Sequence, residues 1–131
     1  MAEAVSENKG HRYEDGLAVR RAVLGDDYVD RSLAGATPFT QPLQELVTEF
    51  CWGGVWTREG LERKTRSLIN LGILTALNRP KELETHVRGA VTNGCSEVEI
   101  REALLQTAPY CGVPAAIDAF RIAQAVLNED A

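Results

Sequence analysis

Leu61-Glu-Arg-Lys-Thr-Arg-Ser-Leu-Ile-Asn-Leu-Gly-Ile-Leu-Thr-Ala-Leu77 is the stretch from which the fold is read. Leu68, Ile69, Leu71, Ile73, Leu74, Ala76 and Leu77 leave little of a helix circumference polar, so the segment reads as a central helix. Asn78 and Pro80 punctuate it, since proline cannot continue a helix but suits the first turn of the next. That next helix is predicted from about Pro80 to Asn93, closed by Gly94. Ser96-Glu-Val-Glu99 is a capping box, in which the serine accepts from the backbone N–H of the third helical residue and the glutamate reaches back. A helix to about Ala108 follows, and Pro109 is expected to kink or end it. Gly112-Val-Pro114 opens a last helix through Leu127, with Ala116, Ile117, Phe120, Ala123 and Leu127 inward.

On the N-terminal side, Trp52-Gly-Gly-Val-Trp-Thr-Arg-Glu-Gly60 is rich in glycine and aromatics. It reads as a loop whose backbone passes close to something else, and as a candidate site wall. Thr40 is a candidate N-cap for a third helix that carries Leu43, Leu46, Val47 and Phe50 on one face and ends at Gly53-Gly54. Asp26 to Ala34 forms a short second helix stopped by Gly35, and Tyr13 to Leu24 a first one stopped by Gly25. Residues 1–12 are polar and lack the apolar core of a secretory signal, so a disordered or extended tail is expected there. No segment alternates with a period of two for long enough to make a strand, and no repeat is present. The expectation is an all-α helical bundle of about six to seven helices, in one domain over residues 13–131.

The length of 131 residues suits one domain with its own core, and 44% apolar with 25% charged residues is ordinary for a soluble globular protein. No run approaches the roughly 20 apolar residues that span a bilayer, so no membrane partner is expected. The net charge of −5 would repel a phosphate backbone, which argues against nucleic acid. Cys51, Cys95 and Cys111 are odd in number, far apart and without histidines at zinc spacing, so no metal site is expected. They fit reduced cytoplasmic thiols buried as small hydrophobes.

Of two histidines, His11 falls in the predicted tail, so imidazole chemistry near neutral pH must use His86. With Leu83, Val87, Ala90 and Val91 as the buried face of its helix, His86 lies at the edge, and Glu82 stands one turn before it. A carboxylate so placed can fix the tautomer and support a protonated general acid, though it can equally be a helix-surface pair without consequence. Arg63, Ser67 and Asn70 form one stripe on the central helix, with Arg66 adjoining. Those arginines either pair with glutamates or face a cavity and bind an anion bidentately. Trp52 and Trp56, four apart around the glycine pair, either fill a core or subunit interface or keep water from a charged site. Tyr110, Cys111 and Gly112 mark a second loop that could close the same space, and nothing nearby marks Cys111 as a nucleophile.

Several of these stretches together resemble the carboxymuconolactone decarboxylase family, from about Tyr13 to Leu127. They are Trp52-Gly-Gly-Val-Trp56, Gly60 to Leu71, Leu74-Thr-Ala-Leu-Asn-Arg79, His86-Val-Arg-Gly-Ala90, Asn93-Gly94, Glu99-Ile-Arg-Glu102 and Tyr110-Cys-Gly-Val-Pro-Ala115. The wider alkylhydroperoxidase-D-like superfamily includes peroxidases with cysteine, two residues, cysteine, three residues, histidine. Laid on this chain with His86 as the histidine, the cysteine positions hold Arg79 and Glu82, which excludes that dithiol chemistry. The resemblance implies an all-α alkylhydroperoxidase-D-like fold, a homo-oligomer (hexamer or trimer), and a small dicarboxylate lactone as substrate.

It further implies decarboxylation of 4-carboxymuconolactone to 3-oxoadipate enol-lactone in protocatechuate breakdown. Carbon dioxide loss leaves an electron pair conjugated through the ring alkene to the lactone carbonyl, so the substrate is its own electron sink and no cofactor is expected. On this reading His86 delivers the proton with Glu82 behind it, Arg63 and Arg66 bind the anion, and Asn70 and Tyr110 line the substrate site. Trp52 and Trp56 exclude water. The rival readings are a related lyase or isomerase acting on another small unsaturated acid, and a non-catalytic helical module for oligomerisation.

Overall fold

In the computed structural model the structure describes residues 2–130, with side chains over residues 12–129. The expected all-α architecture is met, with seven α-helices and no strand among the described residues. They are α1 (Ala2–Leu24), α2 (Asp26–Ala34), α3 (Gln41–Leu46), α4 (Arg63–Ala76), α5 (Pro80–Thr92), α6 (Glu97–Cys111) and α7 (Val113–Leu127). A π-helix, Val47–Trp56, continues α3 directly, and a 3₁₀ turn, Asn128–Asp130, follows α7. Contacts divide the chain into two compact units, with the boundary between Leu61 and Glu62.

In the first unit α1 packs along the π-helix, and α2 and α3 are attached to that pair. The buried face of α1 is Gly16, Val19, Arg20 and Val23, a spacing of three and four residues that keeps them on one stripe. Val19 and Val23 pack against Trp52 and Trp56, whose rings stack with centroids 4.8 Å apart and planes at 26°. Gly16 and Gly53 sit where the backbones of α1 and the π-helix touch: a Cβ on Gly16 would meet Gly53 N at 2.6 Å and Gly53 Cα at 2.9 Å. The close approach expected of this glycine-rich stretch is present, but the stretch is helical to Trp56 and not a loop. Helix α1 likewise departs from expectation. It is continuous from Ala2, so residues 2–12 are helix where a tail was expected, and their alanine and glutamate content suits that state. The side chain of His11 lies outside the described residues.

The second unit is a four-helix arrangement in which α4 packs on α5, α6 and α7. Its core is Leu71, Leu83, Val87, Ala90, Cys95, Ile100, Leu104, Ala119, Ala123 and Val126. Leu71 of α4 and Ala90 of α5 are both fully buried in it, as the apolar character of both helices predicts. The capping box at Ser96 forms as read: Glu99 N–H donates to Ser96 Oγ at 3.0 Å and Ser96 N–H donates to Glu99 Oε1 at 2.9 Å. Glu99 also holds Lys64 Nζ at 2.9 Å, which ties the start of α6 to the start of α4. These bonds keep the Glu99 carboxyl below its usual range, chiefly through the Ser96 backbone N–H.

Several local expectations are corrected. Pro109 lies inside α6, which runs on to Cys111 and ends only where Gly112 takes φ 103°. A proline so near the end deprives the helix of a single donor, and the exposed Leu105 carbonyl left over can meet water. Ile117 is exposed on α7 instead of facing inward. Leu43, Leu46 and Phe50 share a face as read, but that face is exposed, and only Val47 beside them reaches the first unit's core. Cys51 and Cys111 are exposed, and Cys95 alone is buried as expected of all three.

Candidate active site

The site residues read from the sequence fall mainly on α4 and α5. Helix α5 begins at Pro80 and closes on Asn93, after which Gly94 takes φ 91°. Asn93 Nδ2 donates to Ser67 Oγ at 2.8 Å and to the Arg63 carbonyl at 3.4 Å. Ser67 is fully buried, so this bond satisfies a hydroxyl that water cannot reach. It also defines an edge: the side of α5 that carries Asn93 runs along the Arg63–Ser67 stripe of α4. His86 is seven residues before Asn93, two turns away on the same side of α5. Asn70 is one turn beyond Ser67 on α4. By helical register, His86 lies on the side of α5 that carries Asn93, and Asn70 on the stripe of α4 that carries Ser67.

Arg63 is exposed at the first turn of α4, and among the described residues it makes no ion pair with a carboxylate. Arg66 is half-buried, with Nε shielded from solvent. Several other cations of the second unit are held in ion pairs. Arg88, next but one to His86, is held by Glu84 at 2.7 Å and by Glu129 at 2.6 Å. Arg101 pairs with Glu102 and Arg121 with Asp118.

His86 is half-buried, with Nδ1 shielded from solvent. Burial lowers the pKa of its imidazole below the ordinary 6.5, and the charge of Glu82 pulls it partly back. Desolvation wins because Glu82 is exposed and its field is screened by water. Glu82 thus acts on the ring in the expected direction and is outweighed by burial, which favours the neutral imidazole. An anion placed beside the ring would reverse that balance.

The remaining site residues read from the sequence are Tyr110, Trp52 and Trp56. Tyr110, at the end of α6, is 82% exposed. Trp52 and Trp56 are buried in the first unit's core, 4% and 8% exposed. Asn93 was read only as a helix end, and its signal would have been the pairing of a helix-closing asparagine with a serine in an apolar stripe. Arg20 was passed over although it occupies a core position of α1 between Val19 and Val23. Among the described residues no three His, Cys, Asp or Glu side chains gather so as to hold a metal ion, and no helix is long and apolar enough to cross a membrane.

Comparison with known proteins adds to this geometry. Residues 41–125 match the model of the carboxymuconolactone decarboxylase family. A nitrosuccinic acid decarboxylase of Metarhizium robertsii is 47% identical over 98% of this chain and 92% of its own length. A 4-carboxymuconolactone decarboxylase of Acinetobacter baylyi is 41% identical over 93% of this chain and 91% of its own. A Pseudomonas putida protein of the same name is 48% identical over 42 residues, which is 32% of this chain and 88% of that one.

Proposed function

From the premise that this chain belongs to the carboxymuconolactone decarboxylase family, we propose that it removes carbon dioxide from a small acid whose carboxylate sits beside a built-in electron sink, 4-carboxymuconolactone foremost. What supports the reading is the family match together with a half-buried His86 on α5 and the side chains Arg63, Arg66 and Asn70 on the adjoining helix α4.

In the lactone, the bond between the ring carbon and its carboxylate breaks and carbon dioxide leaves. The electron pair moves through the ring alkene onto the lactone carbonyl, giving an oxyfuran-like enolate. A proton is then added to the ring carbon next to that carbonyl, and the enol-lactone results. Arg63 and Arg66 bind the carboxylate that stays, and Asn70 lies where it can donate to the developing enolate oxygen. His86 supplies the proton. It enters neutral, takes up a proton as the dianionic substrate raises its pKa, passes that proton to carbon, and is recharged from water. Glu82 supports the charged ring through space.

A second reading is favoured by the higher identity to the nitrosuccinic acid enzyme. Loss of the carboxylate beside a nitro group leaves a nitronate, which again needs one proton at carbon and one bound carboxylate. The same side chains serve both reactions. The test is to incubate the purified protein with 4-carboxymuconolactone and, separately, with nitrosuccinic acid, following carbon dioxide release and ultraviolet change. Faster turnover of the lactone is expected. Turnover of nitrosuccinic acid alone would select the second reading, and carbon dioxide from neither would overturn the decarboxylase reading.

A further inference from the structure

Arg20 lies on the buried stripe of α1 and is 5% exposed. Its Nη1 donates to Gln44 Oε1 at 3.0 Å and to Thr48 Oγ1 at 3.2 Å, both on the α3–π-helix run. Thr48 in turn donates to the Gln44 carbonyl at 2.8 Å, so its hydroxyl is oriented to accept from the guanidinium. The Nε–H of Arg20 is shielded from solvent and has no hydrogen-bond acceptor among the described residues. Half-buried Tyr13 and Tyr28 stand close enough to act on its charge.

Among the described residues this cluster has no anion. Buried guanidinium groups are ordinarily matched by carboxylates, because a lone charge out of water costs several kcal/mol. Carboxylates are at hand in the next helix, but they go to the neighbouring arginine: Arg21 takes Asp30 at 2.8 Å and Asp26 at 3.2 Å. Arg20 keeps only neutral oxygens, and burial depresses its pKa accordingly. A guanidinium that served only to join α1 to Gln44 and Thr48 could be replaced by a neutral donor without the desolvation cost. A planar cation edged by an unused N–H and two phenols is instead suited to a small planar anion held by two parallel N–H···O bonds.

We propose that Arg20, with Gln44, Thr48, Tyr13 and Tyr28 around it, is an anion-binding site of the first unit, and that it takes the carboxylate of a small organic acid. The existence of the anion site stands on the buried cluster alone. The choice of carboxylate over phosphate rests on the decarboxylase reading above.

The test uses the full chain and a non-reacting probe, succinate, with inorganic phosphate as the second arm. In protein labelled with ¹⁵N-arginine, succinate is expected to move the Arg20 Nε–H resonance saturably. Calorimetry should show one class of succinate sites weakened about tenfold or more in Arg20→Lys, because a point charge cannot reproduce the fork, and lost in Arg20→Gln, with any binding at Arg63 and Arg66 retained. His86→Ala should bind succinate at Arg20 as the native chain does, which separates this site from the proton donor. An unmoved Arg20 resonance at saturating succinate overturns the proposal without recourse to any variant. Phosphate binding without succinate binding overturns the carboxylate assignment. A changed oligomer size in Arg20→Gln with succinate binding intact would give the guanidinium to an acidic side chain of another copy, and also overturns it.

Discussion

Gly16 of α1 and Gly53 of the π-helix meet backbone to backbone, so closely that neither position has room for a methyl group. A Cβ on Gly53 would collide with the Arg12 carbonyl, and one on Gly16 with the Thr48 carbonyl. This contact sets the depth at which α1 lies on the π-helix, and with it the burial of Val19, Val23, Trp52, Trp56 and Arg20.

Gly16→Ala and Gly53→Ala are each expected to destabilise the protein, by about 1–3 kcal/mol or more, since backbone must shift to relieve the overlap. Gly72→Ala is the contrast. That glycine is inside α4, where an added methyl group would have nothing within 4 Å, and alanine there should stabilise by roughly 0.5–1 kcal/mol through helix propensity. Denaturant midpoints of the three variants check the sign of each.

Removing the proton donor should slow turnover without abolishing it. His86→Ala is expected to lower kcat by about 10²–10⁴-fold, the usual share of one general acid. Native rates across pH 6 to 8 would exclude His86 from proton transfer.

The pH dependence has a definite sign. The imidazole of the free protein titrates below 6.5 because burial opposes its charge, so kcat/KM should rise as pH falls, with its inflection on the acid side of 6.5. Stability should move the opposite way. The unfolded chain binds this proton more readily than the folded one, so stability from this group is full above 6.5 and declines as pH falls toward the lowered folded value. His86→Gln should flatten both dependences, as seen in rate profiles and in Tm against pH.

Arg66→Lys and Arg63→Lys separate the anion-binding roles. A lysine keeps the charge and loses the planar pair of donors, so KM for the acid should rise with kcat less affected. An effect confined to one variant would identify the arginine that holds the retained carboxylate.

Asn93→Ala should lower stability by about 1–3 kcal/mol, because Ser67 Oγ would be left buried without its donor. Asn93→Asp offers an acceptor to the same hydroxyl and is expected to lose less. Thermal melts of both variants, read together, test whether this hydrogen bond fixes the α4–α5 edge.

What the sequence by itself determined is whatever a few neighbouring residues settle among themselves. The α5 start at Pro80, the stops at Gly25 and Gly94 with φ of 89° and 91°, and both bonds of the Ser96–Glu99 box follow from dihedral and backbone-donor rules within a few residues. Of the face of α5 read as buried, Leu83, Val87 and Ala90 follow from helical periodicity in the same way, whereas Val91 is exposed. Tertiary structure alone decided which face of a helix would find a partner and which charge would be matched. Leu43, Leu46 and Phe50 have the spacing of a buried stripe and are exposed, whereas Gly16, Val19, Arg20 and Val23 are buried with an arginine among them. The charge of His86 depends on how far the fold excludes water from its ring, and no spacing between His86 and Glu82 encodes that. Whether Asp26 and Asp30 would neutralise Arg20 or Arg21 depends on the angle between two helices across Gly25. Desolvation and long-range pairing are properties of the assembled chain, and it is these that left the buried Arg20 guanidinium without a carboxylate among the described residues.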